Sequence, residues 1–127
     1  EVNPLVGREG EVVVGRAEEL AHQPTYRESF SVVVSRAVAP LPTLLELALP
    51  FSALGGVFIA QKKGEVETEI EQARRAWEIL GGRLRGVQWL ALEELGEKRA
   101  LAIFEKVAPT PAKYPRRPGL PAKRPIL

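Results

Sequence analysis

Apolar positions along the chain fall into short unbroken runs, set apart by charged or proline-rich segments, with one long stretch at helical spacing. The run Phe30-Ser31-Val32-Val33-Val34 is too short for a helix and rich in β-branched residues. It reads as a strand buried on both faces, the kind a parallel sheet uses. Glu11 to Gly15 reads as a similar strand, and Arg16 to Leu20 starts a helix that Pro24 ends. Between Gly15 and Phe30 there is enough chain for one helical crossover between parallel strands. After Ser35-Arg36, Pro40 and Pro42 lead into a short apolar helix, Thr43 to Leu49, with Pro42 in a first turn that tolerates it. Pro50 and Gly55-Gly56 stop and turn the chain, and Val57 to Ala60 predicts a third buried strand.

The clearest helix comes next. Val66, Ile70, Ala73, Trp77 and Leu80 recur at steps of four and three, which puts them on one face, with glutamates and arginines on the others. Gly81-Gly82 supplies the left-handed residue that commonly closes a helix. Val87, Trp89 and Ala91 then alternate, with Gly86 as a candidate bulge. A polar turn from Glu93 to Lys98 leads to a returning antiparallel strand, Leu101 to Val107. The expected order is three strands with helical crossovers, a long helix and a closing hairpin. Residues 1 to 10 read as a loop, and no internal repeat is visible.

Composition narrows the class. At 127 residues the chain is one domain at most, large enough for a real core. The absence of cysteine excludes disulfides and thiolate metal sites and points to a reducing cytoplasm, and one histidine leaves little for zinc. No apolar run approaches membrane-spanning length, and the N-terminus lacks a signal-peptide pattern.

Charge divides the chain in two. Residues 109–127 hold Lys113, Arg116, Arg117, Lys123 and Arg124 and no acid. Taking these five from the 18 basic residues leaves 13 against 16 acids in residues 1–108, so the body is −3 and the tail +5. An acidic body with a basic arm suits a polyanionic partner. The tail also carries six of the eleven prolines, a density that excludes helix and central strand and predicts an extended run along a surface. A free solubilising tail is one reading of it. Tyr114, Leu120, Ile126 and Leu127 supply apolar anchors that favour a docked one.

Catalytic signatures are sparse. His22 has no cysteine or serine elbow to work with and reads as a surface residue. There is no glycine-rich loop after a strand of the kind that holds a dinucleotide or a phosphate. Glu18-Glu19 sits in a first helical turn, where the helix dipole alone favours carboxylates. Arg36 follows the carboxyl end of a buried strand, where ligands bind in open α/β sheets. It either faces a ligand or simply ends the strand and forms a salt bridge at the rim.

Four segments together resemble one family. They are GRAEEL (Gly15 to Leu20), SRAVAPL (Ser35 to Leu41), LLELALP (Leu44 to Pro50) and the tail PTPAKYPRRPG (Pro109 to Gly119). In this order and at this spacing they are similar to the glucose-inhibited division protein B family. The resemblance implies a Rossmann-like class I methyltransferase, with a mostly parallel α/β sheet and a closing antiparallel hairpin. It implies transfer of a methyl group from S-adenosylmethionine to N7 of a guanine in small-subunit (16S) ribosomal RNA. Carried over residue by residue, Ala17 and Glu18 match the pair that borders the cofactor's adenine, and Arg36 matches an arginine lining the cofactor site. The tail, with Lys113, Arg116, Arg117, Lys123 and Arg124, is expected to pack on the domain and to contact RNA. Where the family often has Arg-His entering its last strand, this chain has Arg99-Ala100, so a role for that histidine is in doubt here.

The family's glycine-rich loop and the acidic residue of its first two strands are expected before Glu1. Residues 1–108 then read as the C-terminal part of the methyltransferase domain and 109–127 as a basic tail. A chain lacking those strands is expected to be inactive alone; the complete protein is expected to be a cytoplasmic monomer without metal. The other function class is a non-catalytic RNA- or ribosome-binding module that uses the basic arm. A small-molecule methyltransferase is a third reading, against which the tail argues.

Overall fold

The computed structural model describes residues 7–8, 11–12, 16–36, 38–64, 66–92 and 97–127. Its centre is a four-stranded mixed sheet in the order β3-β4-β6-β5, formed by Phe30–Ser35, Ser52–Lys63, Glu97–Lys106 and Gly82–Leu92. β3 runs parallel to β4, whereas β4–β6 and β5–β6 are antiparallel. Helix α2 (Leu41–Ala48) and a 3-10 turn (Leu49–Phe51) connect the parallel pair, and α3 (Glu67–Leu80) leads from β4 into the hairpin. Short helices α1 (Ala17–Leu20) and α4 (Leu120–Lys123) lie near the two ends of the chain.

Alternation along the strands decides the core. Phe58 and Ala60 of β4 and Ala100, Ala102 and Phe104 of β6 are buried on one face of the sheet. Trp77 of α3 meets Phe104 there, with ring centroids 5.4 Å apart. All eight residues of α2 are buried, so an apolar helix is feasible there without a polar face. Its N-cap, Pro40, has no side-chain donor or acceptor; Glu69 of α3 instead accepts from Leu41 N–H at 2.7 Å.

The α3 stripe, the antiparallel hairpin and the bulge at Gly86 match the sequence expectation: the β5–β6 register shifts between Leu84 and Gly86. Gly81 closes α3 at φ 88°, and the chain leaving β6 passes directly against it, with Val107 and Ala108 N–H bonding Gly81 O. A side chain at position 81 would collide with the Ala108 carbonyl, so glycine is required there for two reasons.

Three expectations need correction. Of the strand expected over Glu11–Gly15, Glu11–Val12 (β2) pairs antiparallel with Gly7–Arg8 (β1) in a separate ladder. Only two residues separate these segments, a spacing that permits antiparallel pairing but no parallel crossover; residues 13–15 lie outside the described residues, as do most of the loop at 1–10 and residues 93–96 of the polar turn. Secondly, β3 is an edge of the described sheet, and Val32 is half exposed. Thirdly, the proline-rich tail does contain a helix, α4, whose Pro121 sits in the first turn where its missing N–H costs nothing.

One buried cation ties these parts together. Lys106, at the end of β6, occupies an inward register position and its side chain is fully buried. Its ammonium donates to Leu49 O at 2.7 Å and Ser52 O at 3.1 Å and pairs with Glu28 at 2.9 Å. Glu28 is held at φ 49°, with its N–H on Pro50 O, and its carboxylate also accepts Thr110 N–H at 2.9 Å. Burial alone would raise the Glu28 carboxyl, but the Lys106 and Thr110 donors, with the charges of Lys106 and Arg27, hold it below its ordinary value. Burial draws the Lys106 ammonium down, against the pull of Glu28.

Removing one partner of a buried pair strands the other, at about 3–5 kcal/mol. Lys106→Met is therefore expected to lower the unfolding free energy by about that amount in urea titration, and a loss under about 1 kcal/mol would contradict the role. Because the folded Glu28 carboxyl lies low, the stability it contributes is complete above the unfolded carboxylate range and is lost as pH falls through the folded value. Melting temperatures taken from neutral to acid pH are expected to fall less steeply in Glu28→Gln than in the parent.

Candidate functional site

At the carboxyl ends of β3 and β4 lies an open cleft of about 470 Å³, lined by Arg36, Val38, Gln61, Lys62, Lys63, Glu69 and Arg99. The strand–proline–helix sequence places Arg36 there, since β3 ends at Ser35 and the chain turns away before α2. Arg36 is exposed and makes no hydrogen bond or ion pair among the described residues. Lys62 is buried on the inward register of β4, donating to Ala39 O at 2.7 Å and pairing with Glu69 at 2.8 Å. That pair is close to neutral as a unit, and the other described lining residues, Arg36, Lys63 and Arg99, carry a positive balance. Such a cleft favours anionic groups.

Ala17 and Glu18 lie elsewhere, outside the lining of this cleft. Both are buried, and the tail closes over Glu18: Gly119 N–H donates to its Oε2 at 3.0 Å, with Arg16 at 3.7 Å. Its other oxygen, Oε1, is buried with no hydrogen-bond partner among the described residues. An unsatisfied buried carboxylate oxygen is costly and marks a place for a donor.

The tail is docked along its length. Arg27 donates to the carbonyls of Thr110, Pro111 and Tyr114, and Thr110 Oγ1 donates to Leu80 O. Further on, His22 Nε2 meets Pro115 O at 2.6 Å and Thr43 Oγ1 donates to Pro121 O. Tyr114 is buried and Ile126 packs on the core, whereas Leu127 is 70% exposed.

The five tail cations divide. Arg116 turns inward and forms a fork on Glu46, the wholly buried acid of α2, through Nε and a terminal nitrogen; its own N–H bonds the same carboxylate. Glu46 thereby holds the guanidinium still more firmly protonated than usual. Lys113 lies over the Tyr114 ring at 5.2 Å. Arg117, Lys123 and Arg124 are exposed, with no side-chain ion pair among the described residues. The sequence pattern assigns all five to one partner and does not single out Arg27, Glu28, Glu46, Lys62 or Lys106. The lone acid in the apolar segment Leu41–Ala48 is the available signal for Glu46.

The family pattern described as rRNA small subunit methyltransferase G (GidB) matches residues 4–101. A protein from Dehalococcoides mccartyi named ribosomal RNA small subunit methyltransferase G is 46% identical over 128 residues, covering 100% of this chain and 54% of the relative. One of the same name from Symbiobacterium thermophilum is 47% identical, covering 98% and 51%. A third, from Deinococcus radiodurans, is 50% identical, covering 90% and 45%. The chain thus spans about half the length of the curated relatives it matches. Among solved structures, an arsenic(III) S-adenosylmethionine methyltransferase from Chlamydomonas reinhardtii covers 75% of this chain and 43% of its own at 14% identity. Its TM-score of 0.39 is too low to carry an argument.

The two neighbouring tail arginines should behave oppositely. Arg116→Ala leaves Glu46 buried without its cation and is expected to destabilise by about 3–5 kcal/mol. Arg117→Ala, at an exposed position, is expected to stay within about 0.5 kcal/mol. Thermal melts giving equal losses for both would contradict this division.

Proposed function

The chain belongs to the rRNA small subunit methyltransferase G family, and we propose that it forms part of an S-adenosylmethionine-dependent enzyme that methylates N7 of a guanine in small-subunit ribosomal RNA. The observation that carries this reading is the pairing of two features on one α/β scaffold. One is a positive cleft at the carboxyl ends of the strands, with Arg36 at its wall. The other is a buried carboxylate, Glu18, with an oxygen that lacks a donor.

These residues suit the cofactor. Adenine offers N–H donors at its exocyclic amino group, and the free Oε1 of Glu18 is an acceptor for one. Arg36 suits the carboxylate or hydroxyl oxygens of such a ligand. When bound, S-adenosylmethionine supplies a methyl group already activated by its positive sulfur. The chain's own work is then to bind and align. Guanine N7 carries a lone pair and no proton, so no residue has to act as a general base, and positioning carries the rate.

The outer surface of the tail supplies the substrate contact. Arg117, Lys123 and Arg124 face solvent on a strap that is fixed rather than loose. A fixed cation array meets a phosphate backbone without the entropy of ordering a free tail. Arg116 belongs to the strap's anchorage and takes no part in this contact. The setting for such a substrate is the cytoplasm.

In the full-length protein Arg36→Ala is expected to weaken S-adenosylhomocysteine binding by about 1.5–3 kcal/mol, the worth of a charged contact, with an unchanged melting temperature. Unchanged affinity in calorimetric titration would remove Arg36 from the site. Replacing Arg117 and Lys123 together with alanine is expected to flatten the logarithmic salt dependence of RNA binding by about 0.7 for each phosphate ion pair removed, if the bound RNA is single-stranded. An unaltered slope would remove the tail from the RNA interface.

A further inference from the structure

The contact between Glu18 and the tail has a specific geometry. Glu18 sits in the first turn of α1, and Gly119, 101 residues away, presents its N–H to Oε2 at 3.0 Å. Gly119 itself is set at φ 87° as the N-cap of α4, a conformation that favours glycine. The segment around it is pinned on both sides, by Arg116 on Glu46 and by Thr43 on Pro121 O. One carboxylate oxygen is therefore fixed by backbone, while the other, Oε1, is buried and has no partner among the described residues. A glutamate has three rotatable side-chain bonds, and the Gly119 N–H on Oε2, with Arg16 at 3.7 Å, narrows the rotamers open to it.

We infer that Gly119 is a positioning residue for the cofactor site: its amide holds the Glu18 carboxylate so that Oε1 accepts from the exocyclic amino group of an adenosyl ligand. This rests on the reading of Glu18 as a ligand-binding acid given above. The tail thus serves two faces at once. Its cations look outward to the phosphate backbone, and its backbone sets a carboxylate inward for the cofactor.

The test removes a single hydrogen-bond donor. In the full-length protein, ligation of a synthetic tail replaces the Gly119 amide with an ester, which deletes the N–H and leaves every side chain in place. Affinity is measured for S-adenosylhomocysteine and for its analogue lacking the exocyclic amino group. The ester is expected to weaken the adenosyl compound about tenfold, the range for a hydrogen bond to a charged group, and to leave the analogue within about twofold. Equal weakening of both ligands would show general loosening of the strap and overturn the positioning role. No weakening of either, in a protein where Glu18→Gln does weaken the adenosyl compound, would overturn it while keeping Glu18 as a ligand. If Glu18→Gln leaves both affinities unchanged, the reading of Glu18 fails and the inference fails with it.

Discussion

A buried ammonium with three oxygens around it sets the order of everything else in this chain. Lys106 stands at the end of the central antiparallel strand, and its partners come from the turn after α2, from the start of β4 and from the loop before β3. A charge without water tolerates no missing partner. Each of those segments is therefore held to within hydrogen-bond distance of one atom. The carboxylate that balances it also takes the first amide of the tail, so the tail's path begins where the sheet is locked.

The sequence pattern reveals the elements far better than it reveals these locks. The α3 stripe, the alternation of the hairpin, the bulge at Gly86 and the anchoring of the tail by Tyr114 all follow from local spacing, and local spacing is what a sequence displays. Lys62 and Lys106 are legible in part. Each continues an inward alternation, Phe58-Ala60-Lys62 and Ala102-Phe104-Lys106, in which a charged residue stands where an apolar one is due. Their partners are not legible, because Glu28 and Lys106 are far apart in sequence and no spacing rule links them. The same holds for Glu46 and Arg116, 70 residues apart. At the candidate site, the position of Arg36 at a strand's carboxyl end follows from topology, whereas the closing of the tail over Glu18 does not.

Formal charge also misleads here. The body counts as acidic, yet Glu18, Glu28 and Glu46 point their carboxylates at the amides of Gly119, Thr110 and Arg116. Each of these acids accepts a backbone amide, and Glu28 and Glu46 also pair with Lys106 and Arg116. Lys106 is already counted in the body, so only the Arg116–Glu46 pair alters the balance, taking one charge from each part of the chain. The exposed cations of the tail act in surroundings that their own anchorage has helped to quiet.

The docked tail has a consequence for biosynthesis. Translation delivers the chain from its N-terminus, so the amides that complete Glu28, Glu46 and Glu18 leave the ribosome after Lys106. Every strand of the four-stranded sheet precedes them, so the sheet can close while three carboxylates still lack their donors. The nascent domain thus passes through a stage with its acids open to water and its α2 surface bare. That stage lasts from the emergence of Lys106 to that of Gly119.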